Sequence, residues 1–61
     1  MNEFDKAVEL YIAMNKAYAE LPEGKYESKA TKVATKAYHE ALSAGSLMDS
    51  EIVDYCWDMQ L

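Results

Sequence analysis

Between Lys25 and Gly45 the chain repeats alanine at Ala30, Ala34, Ala37 and Ala41, in steps of four, three and four. On a helix of about 3.6 residues per turn those steps stack on one face, so the stretch predicts a helix with a continuous ridge of small side chains. A ridge of that kind lets a second helix approach closely, which makes a packed helical hairpin the simplest fold. Lys25, Lys29, Lys32 and Lys36 recur at the same spacing on an adjacent face, and they are four of the chain's six basic residues. Gly45 is expected as the left-handed terminator just past the helix.

The segment before it, Asn2–Leu21, carries a heptad pattern. Phe4, Tyr11 and Tyr18 share one position and Ala7, Met14 and Leu21 share the next, with Val8 and Asn15 beside them. Asp5, Glu9, Lys16 and Glu20 fall on the opposite side, as an amphipathic helix requires. Asn2 suits the N-cap, and Glu3 and Asp5 suit the positive end of the helix dipole. Pro22 disfavours continuation, and Gly24 permits a reversal. A link of about four residues makes the two helices antiparallel neighbours. Phe4, Tyr11, Met14 and Tyr18 are then expected against the alanine ridge, with Tyr26, Val33, Tyr38 and Leu42 filling the sides.

A third helix is expected to start at Ser46–Asp49, which resembles a capping box, or with Asp49 itself as the N-cap. Met48, Ile52, Tyr55 and Met59 form the predicted inward stripe, with Cys56 at its edge. The expected architecture is all-α: one domain, 1–61, folded as a three-helix mini-bundle on an antiparallel hairpin, with helices about 2–21, 25–44 and 47–60.

Size sharpens what such a bundle needs. For 61 residues the area scaling laws bury about 6,000 Å² on folding. If roughly 3,600 Å² of that is apolar, burial contributes on the order of 90 kcal/mol. Ordering the chain at about 1.5 kcal/mol per residue costs nearly the same. A second copy or a partner would supply a useful margin, so a homodimer is expected. Cys56 is the only cysteine, which rules out an internal disulfide framework and points to a reducing, cytoplasmic setting. The sequence shows no signal peptide and no apolar run of about 18 residues, so no membrane association is expected. A net charge of -5 and a pI near 4.6 oppose free nucleic acid and anionic lipid, and favour a protein partner with a basic surface.

Helix three breaks two local rules. Val53, Trp57 and Leu61 project on the side away from the predicted inward stripe, and an acidic ridge of Glu51, Asp54 and Asp58 runs between the two apolar faces. Asp54 and Asp58 are like charges one turn apart, and Asp58 sits near the negative end of the dipole. Local conflicts of this kind often mark functional surfaces. These six residues are therefore the candidate partner-binding set, with Trp57 as its anchor. The competing expectation folds Trp57 back onto a neighbouring helix and leaves the acids merely solvated.

The lysine ridge has a structural reading, in which its side chains snorkel over the small-residue seam and meet Glu9, Glu20 or a second copy. Lys36 and Glu40 are spaced for an exposed pair. The sharper alternative is phosphate contact by Lys25, Lys29, Lys32 and Lys36, aided by Thr31 and Thr35. The chain has no arginine for base reading, and acids on the third helix would repel phosphate from a helix-turn-helix reader. His39 and Cys56 are one of each and form no nucleophile or metal motif. Calcium-loop spacing and a phosphate-binding glycine loop are both absent. No enzyme activity and no cofactor are expected.

Together these features point to a small acidic protein–protein interaction module, an adaptor or inhibitor. Freestanding acidic chains of this size are a common product of phages and mobile elements, which suggests a target: the basic surface of a nucleic-acid-processing protein, met through helix three. The alternative is a small dimeric nucleic-acid-binding regulator that uses the Lys25–Lys36 ridge.

Overall fold

The computed structural model describes residues 2–61, which form α1 (Glu3–Ala19), α2 (Lys29–Gly45) and α3 (Asp49–Met59) with no strand. The expected all-α three-helix bundle is what the chain adopts. α1 starts as anticipated: the Asn2 side-chain oxygen accepts from the Asp5 N–H at 2.7 Å, with Glu3 and Asp5 in the first turn. One of the orphan amides at the helix start is thereby satisfied.

α2 begins later than expected, at Lys29 instead of near Lys25. The reason is a reciprocal cap. The Thr31 N–H donates to Ser28 Oγ at 3.2 Å, and the Ser28 N–H donates to Thr31 Oγ1 at 2.8 Å. The Thr31 hydroxyl also donates to the Ser28 carbonyl at 2.9 Å, so this threonine is fully buried yet fully satisfied. Threonine performs here the part usually taken by Glu or Gln in such boxes. The link between α1 and α2 is correspondingly longer than four residues and runs from Glu20 to Ser28. Within it Lys25 donates to the Pro22 carbonyl at 3.1 Å, and Gly24 takes φ +84°, the reversal its sequence position suggested.

α1 and α2 pack antiparallel along most of their length. Glu3 lies by Gly45, the Tyr11 ring sits 5.4 Å from that of Tyr38, and the Tyr18 hydroxyl is 3.5 Å from Thr35 Oγ1. The face that α2 turns inward overlaps the alanine ridge but is rotated from it. Thr31, Tyr38 and Ala41 are buried, Ala34 and Ala37 are half-buried, and Ala30, Val33 and Tyr26 are exposed. An aromatic buries on the order of 150–250 Å², so Tyr38 outweighs several methyl groups in setting the helix's rotation. The large side chains of α1 therefore meet Tyr38 and Thr35 as well as alanine, and Tyr18 stays exposed.

Gly45 is the last residue of α2, and the left-handed position falls on Ser46 at φ +52°. The Leu47 N–H donates to the Leu42 carbonyl at 2.9 Å and the Ser46 N–H to Ser43 at 3.2 Å, the paired bonds of a Schellman ending. Glycine is needed at 45 for room instead. A Cβ there would lie 2.9 Å from Glu3 Cβ and 3.0 Å from Leu47 Cδ1.

α3 runs beside α1, with Phe4 and Tyr55 edge-to-face at 5.1 Å. Ile52 and Cys56 face inward and join Ala7, Val8, Tyr38 and Ala41 in one core. Met48 and Met59, predicted to lie on the inward stripe, are 66% and 56% exposed. α3 has 11 residues and only Ile52 and Cys56, one turn apart on its inner side, are buried, so the residues at either end of the expected stripe stay in water. Among the described residues no helix is long and apolar enough to cross a membrane.

Candidate protein-interaction face

The face in question runs along the outer side of α3 from Glu51 to Leu61, and the two ends of the helix hold it in place. At the start, Met48 is the N-cap, one residue before the alternative expected at Asp49. Its N–H donates to Glu51 Oε2 at 2.9 Å. Glu51, one of the candidate acids, is thus engaged in holding its own helix end. Asp49 is held too: the buried Tyr38 hydroxyl donates to Asp49 Oδ1 at 2.5 Å and ties the first turn of α3 to the middle of α2. Burial, and secondarily this bond to a carboxylate, push the Tyr38 phenol well above its ordinary value.

At the other end, Gln60 adopts φ +55° and a second Schellman ending forms without glycine. The Leu61 N–H donates to the Cys56 carbonyl at 3.0 Å and the Gln60 N–H to that of Trp57 at 3.2 Å. A left-handed non-glycine residue costs about 1 kcal/mol, so the turn is held against a local preference. The turn brings Leu61 back beside Trp57. With Cys56 and Gln60 they face Tyr11 and Asn15 of α1 across a recess of about 440 Å³.

Trp57 is 78% exposed and Leu61 62% exposed, while Val53 is half-buried. Trp57 does not fold back into the bundle; it stands at the rim of the recess. Asp54 and Asp58 are exposed, and among the described residues neither enters an ion pair or a side-chain hydrogen bond. α3 contains four acids and no base, so its outer side is uniformly negative. Cys56 lies in the floor of the recess, and burial raises its thiol above the ordinary value, which keeps it protonated and unreactive near neutral pH.

The lysine ridge is less continuous than its spacing suggests. Lys25 lies in the α1–α2 link, off the helix, while Lys29, Lys32 and Lys36 are exposed on α2. Lys32 pairs with Glu27 at 3.3 Å, which is the only ion pair among the described residues, so Lys36 and Glu40 do not close theirs. An open groove of about 710 Å³ runs past Lys32, Lys36, His39 and Glu40, with Tyr18 at its side. His39 and Cys56 line different recesses and are not brought together. No group of three His, Cys, Asp or Glu able to hold a metal ion occurs among the described residues.

Tyr11, Asn15 and Gln60 belong to the recess and carried no sequence signal of it. Tyr11 and Asn15 sit four apart on the face assigned to the hairpin, and nothing in the pattern shows that a third helix leaves them partly open. No known protein family, curated protein or solved structure matches the chain.

Proposed function

We propose that the chain is a protein–protein interaction module that docks through α3. Val53, Trp57 and Leu61 form its apolar centre, and Asp54 and Asp58 form an acidic border that selects a partner with a basic surface. The observation that carries this reading is Trp57. A single tryptophan, 78% exposed at the edge of an apolar recess, is an unusual use of the residue type most enriched at binding hot spots. The free carboxylates beside it would steer association and fix orientation more than they add affinity. Glu51 contributes to the field but is tied to the Met48 amide. The reading places the protein as an adaptor or inhibitor, and the basic channel of a nucleic-acid-processing protein is a surface of the right sign.

The alternative, a nucleic-acid-binding regulator using Lys25, Lys29, Lys32 and Lys36, has weaker support. Its lysines are divided between link and helix, one is held by Glu27, and Glu27 and Glu40 share the groove. Two measurements separate the readings. Affinity capture from the native host with the intact chain, followed by mass spectrometry, should recover a basic protein that the Trp57→Ala chain does not. A low-salt gel shift should show no complex with DNA or RNA. A salt-sensitive shift removed by changing Lys29 and Lys32 would transfer the function to α2.

A further inference from the structure

The docking face of α3 has a candidate occupant within the chain itself. α2 is the only helix on which bases outnumber acids: it carries Lys29, Lys32 and Lys36 against Glu40. α3 is the only helix with acids and no base. Lys29 and Lys36 enter no ion pair among the described residues, and Asp54 and Asp58 enter none either. Between Lys29 and Lys36 on the outside of α2 lies Val33, exposed, with the exposed Ala30 and half-buried Ala37 on the same side. That is a shallow apolar strip with cations along its edge. Trp57 with Asp54 and Asp58 is a protruding apolar residue with anions along its edge.

Surface area points the same way. A compact monomer of 6.9 kDa should expose about 4,000 Å² by the scaling law, and this chain exposes 4658 Å². The excess of roughly 650 Å² approaches the ~800 Å² that each partner loses in an interface of standard size. Trp57, Leu61 and Val33 are exposed apolar side chains on the two faces, and Tyr26 and Met48 are exposed outside them.

We infer that the resting form is a homodimer in which α3 of each copy lies on the outer face of α2 of the other. Trp57 packs over Val33, and Asp54 and Asp58 meet Lys29 and Lys36 of the second copy. The pairing is reciprocal, so both docking faces are covered at once and the assembly closes. This rests on the reading of α3 as the docking face and adds its regulation: a basic partner must displace the second copy, so binding weakens as the module's own concentration rises.

Light scattering across a dilution series should give twice the 6.9 kDa of one chain at high concentration, with emission from the single tryptophan moving towards that of water-exposed indole on dilution. Trp57→Ala should weaken self-association at least tenfold while circular dichroism shows the helices intact. Two charge-reversed chains, Asp54→Lys/Asp58→Lys and Lys29→Glu/Lys36→Glu, should each be monomeric alone and form a dimer when mixed, because mixing restores both contacts. A monomer at every concentration overturns the inference, as does a dimer indifferent to Trp57→Ala or a mixture that stays monomeric. A monomeric chain that still captures a basic protein through Trp57 would leave the docking reading standing and assign the face to that partner alone. A chain that dimerises as described but captures nothing would do the reverse.

Discussion

Tyr38 and Trp57 are both large aromatics with one polar atom, on helices that share a core, and they end at opposite extremes: 1% and 78% exposed. The difference lies in what surrounds each. Tyr38 sits at mid-helix, with Tyr11 of α1 against its ring and Asp49 of α3 accepting a hydrogen bond from its hydroxyl. Three helices converge on it, and its polar tip finds a partner at the protein's edge, as a buried tyrosine requires. Trp57 lies in the last turns of α3, where the hairpin offers only Tyr11 and Asn15 across an open recess. One aromatic closes the fold and the other is left at its rim, so substitutions should separate stability from binding.

Removing the closing residue is the most damaging change. Tyr38→Ala should cost about 3–5 kcal/mol, the range for truncating a buried aromatic. A chain of 61 residues has a total stability of only about 3–9 kcal/mol. The variant should therefore lose at least about a third of its stability, read as a large drop in the urea midpoint followed by circular dichroism. A cooperative transition near that of the parent chain would show that Tyr38 is not what the helices close upon.

The second prediction concerns the other end of the same seam. Gly45→Ala gains up to about 1 kcal/mol of helix propensity. Against this, the new methyl would lie 2.9 Å from Glu3 Cβ, an atom fixed to the backbone of α1. Overpacking of that kind costs about 1–3 kcal/mol, so the net effect should be a loss of up to about 2 kcal/mol in urea unfolding. An unchanged or raised midpoint would mean that the first turn of α1 gives way freely and that the close approach there contributes nothing.

These two residues show what was legible in the sequence and what was not. The helix count, the antiparallel hairpin and the Asn2 cap follow from period, breaker and cap signals that act within a few residues. The rotation of α2 does not, because alanines at helical spacing and the Thr31–Tyr38–Ala41 set fit the same period, and only the larger area of Tyr38 decides between them. The Met48–Ile52–Tyr55–Met59 stripe fails for a related reason. Hydrophobicity marks residues that can be buried, whereas the length of α3 and its position on the hairpin decide which are. Val53, Trp57 and Leu61 stood out because they exceeded what so small a core can cover. Their neighbours in the recess, Tyr11 and Asn15, come from another helix, and no spacing rule connects them.

A smaller effect tests the polar half of the comparison. Tyr38→Phe keeps the ring and removes the bond to Asp49, which is exposed and can turn to water, so the cost at neutral pH should be about 1 kcal/mol. The pH dependence is more specific. Burial holds both Cys56 and Tyr38 protonated in the folded chain above their ordinary values of 9.0 and 10.0. The unfolded chain loses those protons first, so it binds fewer protons and stability falls as pH rises. The decline should begin near pH 9 with Cys56 and steepen above 10 with Tyr38, each group adding a slope of at most about 1.4 kcal/mol per pH unit. Urea midpoints measured across this range should lose the steeper part in Tyr38→Phe and keep the earlier one. A phenylalanine chain with the full alkaline decline would place its origin elsewhere than the Tyr38–Asp49 contact.

The smallest expected effect on stability belongs to the residue with the largest expected effect on association. Trp57 leaves most of its surface in water, so Trp57→Ala, measured on dilute monomer, should change unfolding by less than about 0.5 kcal/mol, as exposed substitutions do. Val53→Ala makes a useful contrast, because Val53 is half-buried and its loss should register in both stability and binding. If Trp57→Ala instead cost as much as a core truncation, the indole would have to be packed inside the dilute monomer, and the division between a closing aromatic and a docking one would collapse. A near-zero cost in monomer stability, together with lost association, is the combination that an interface residue produces and a core residue cannot.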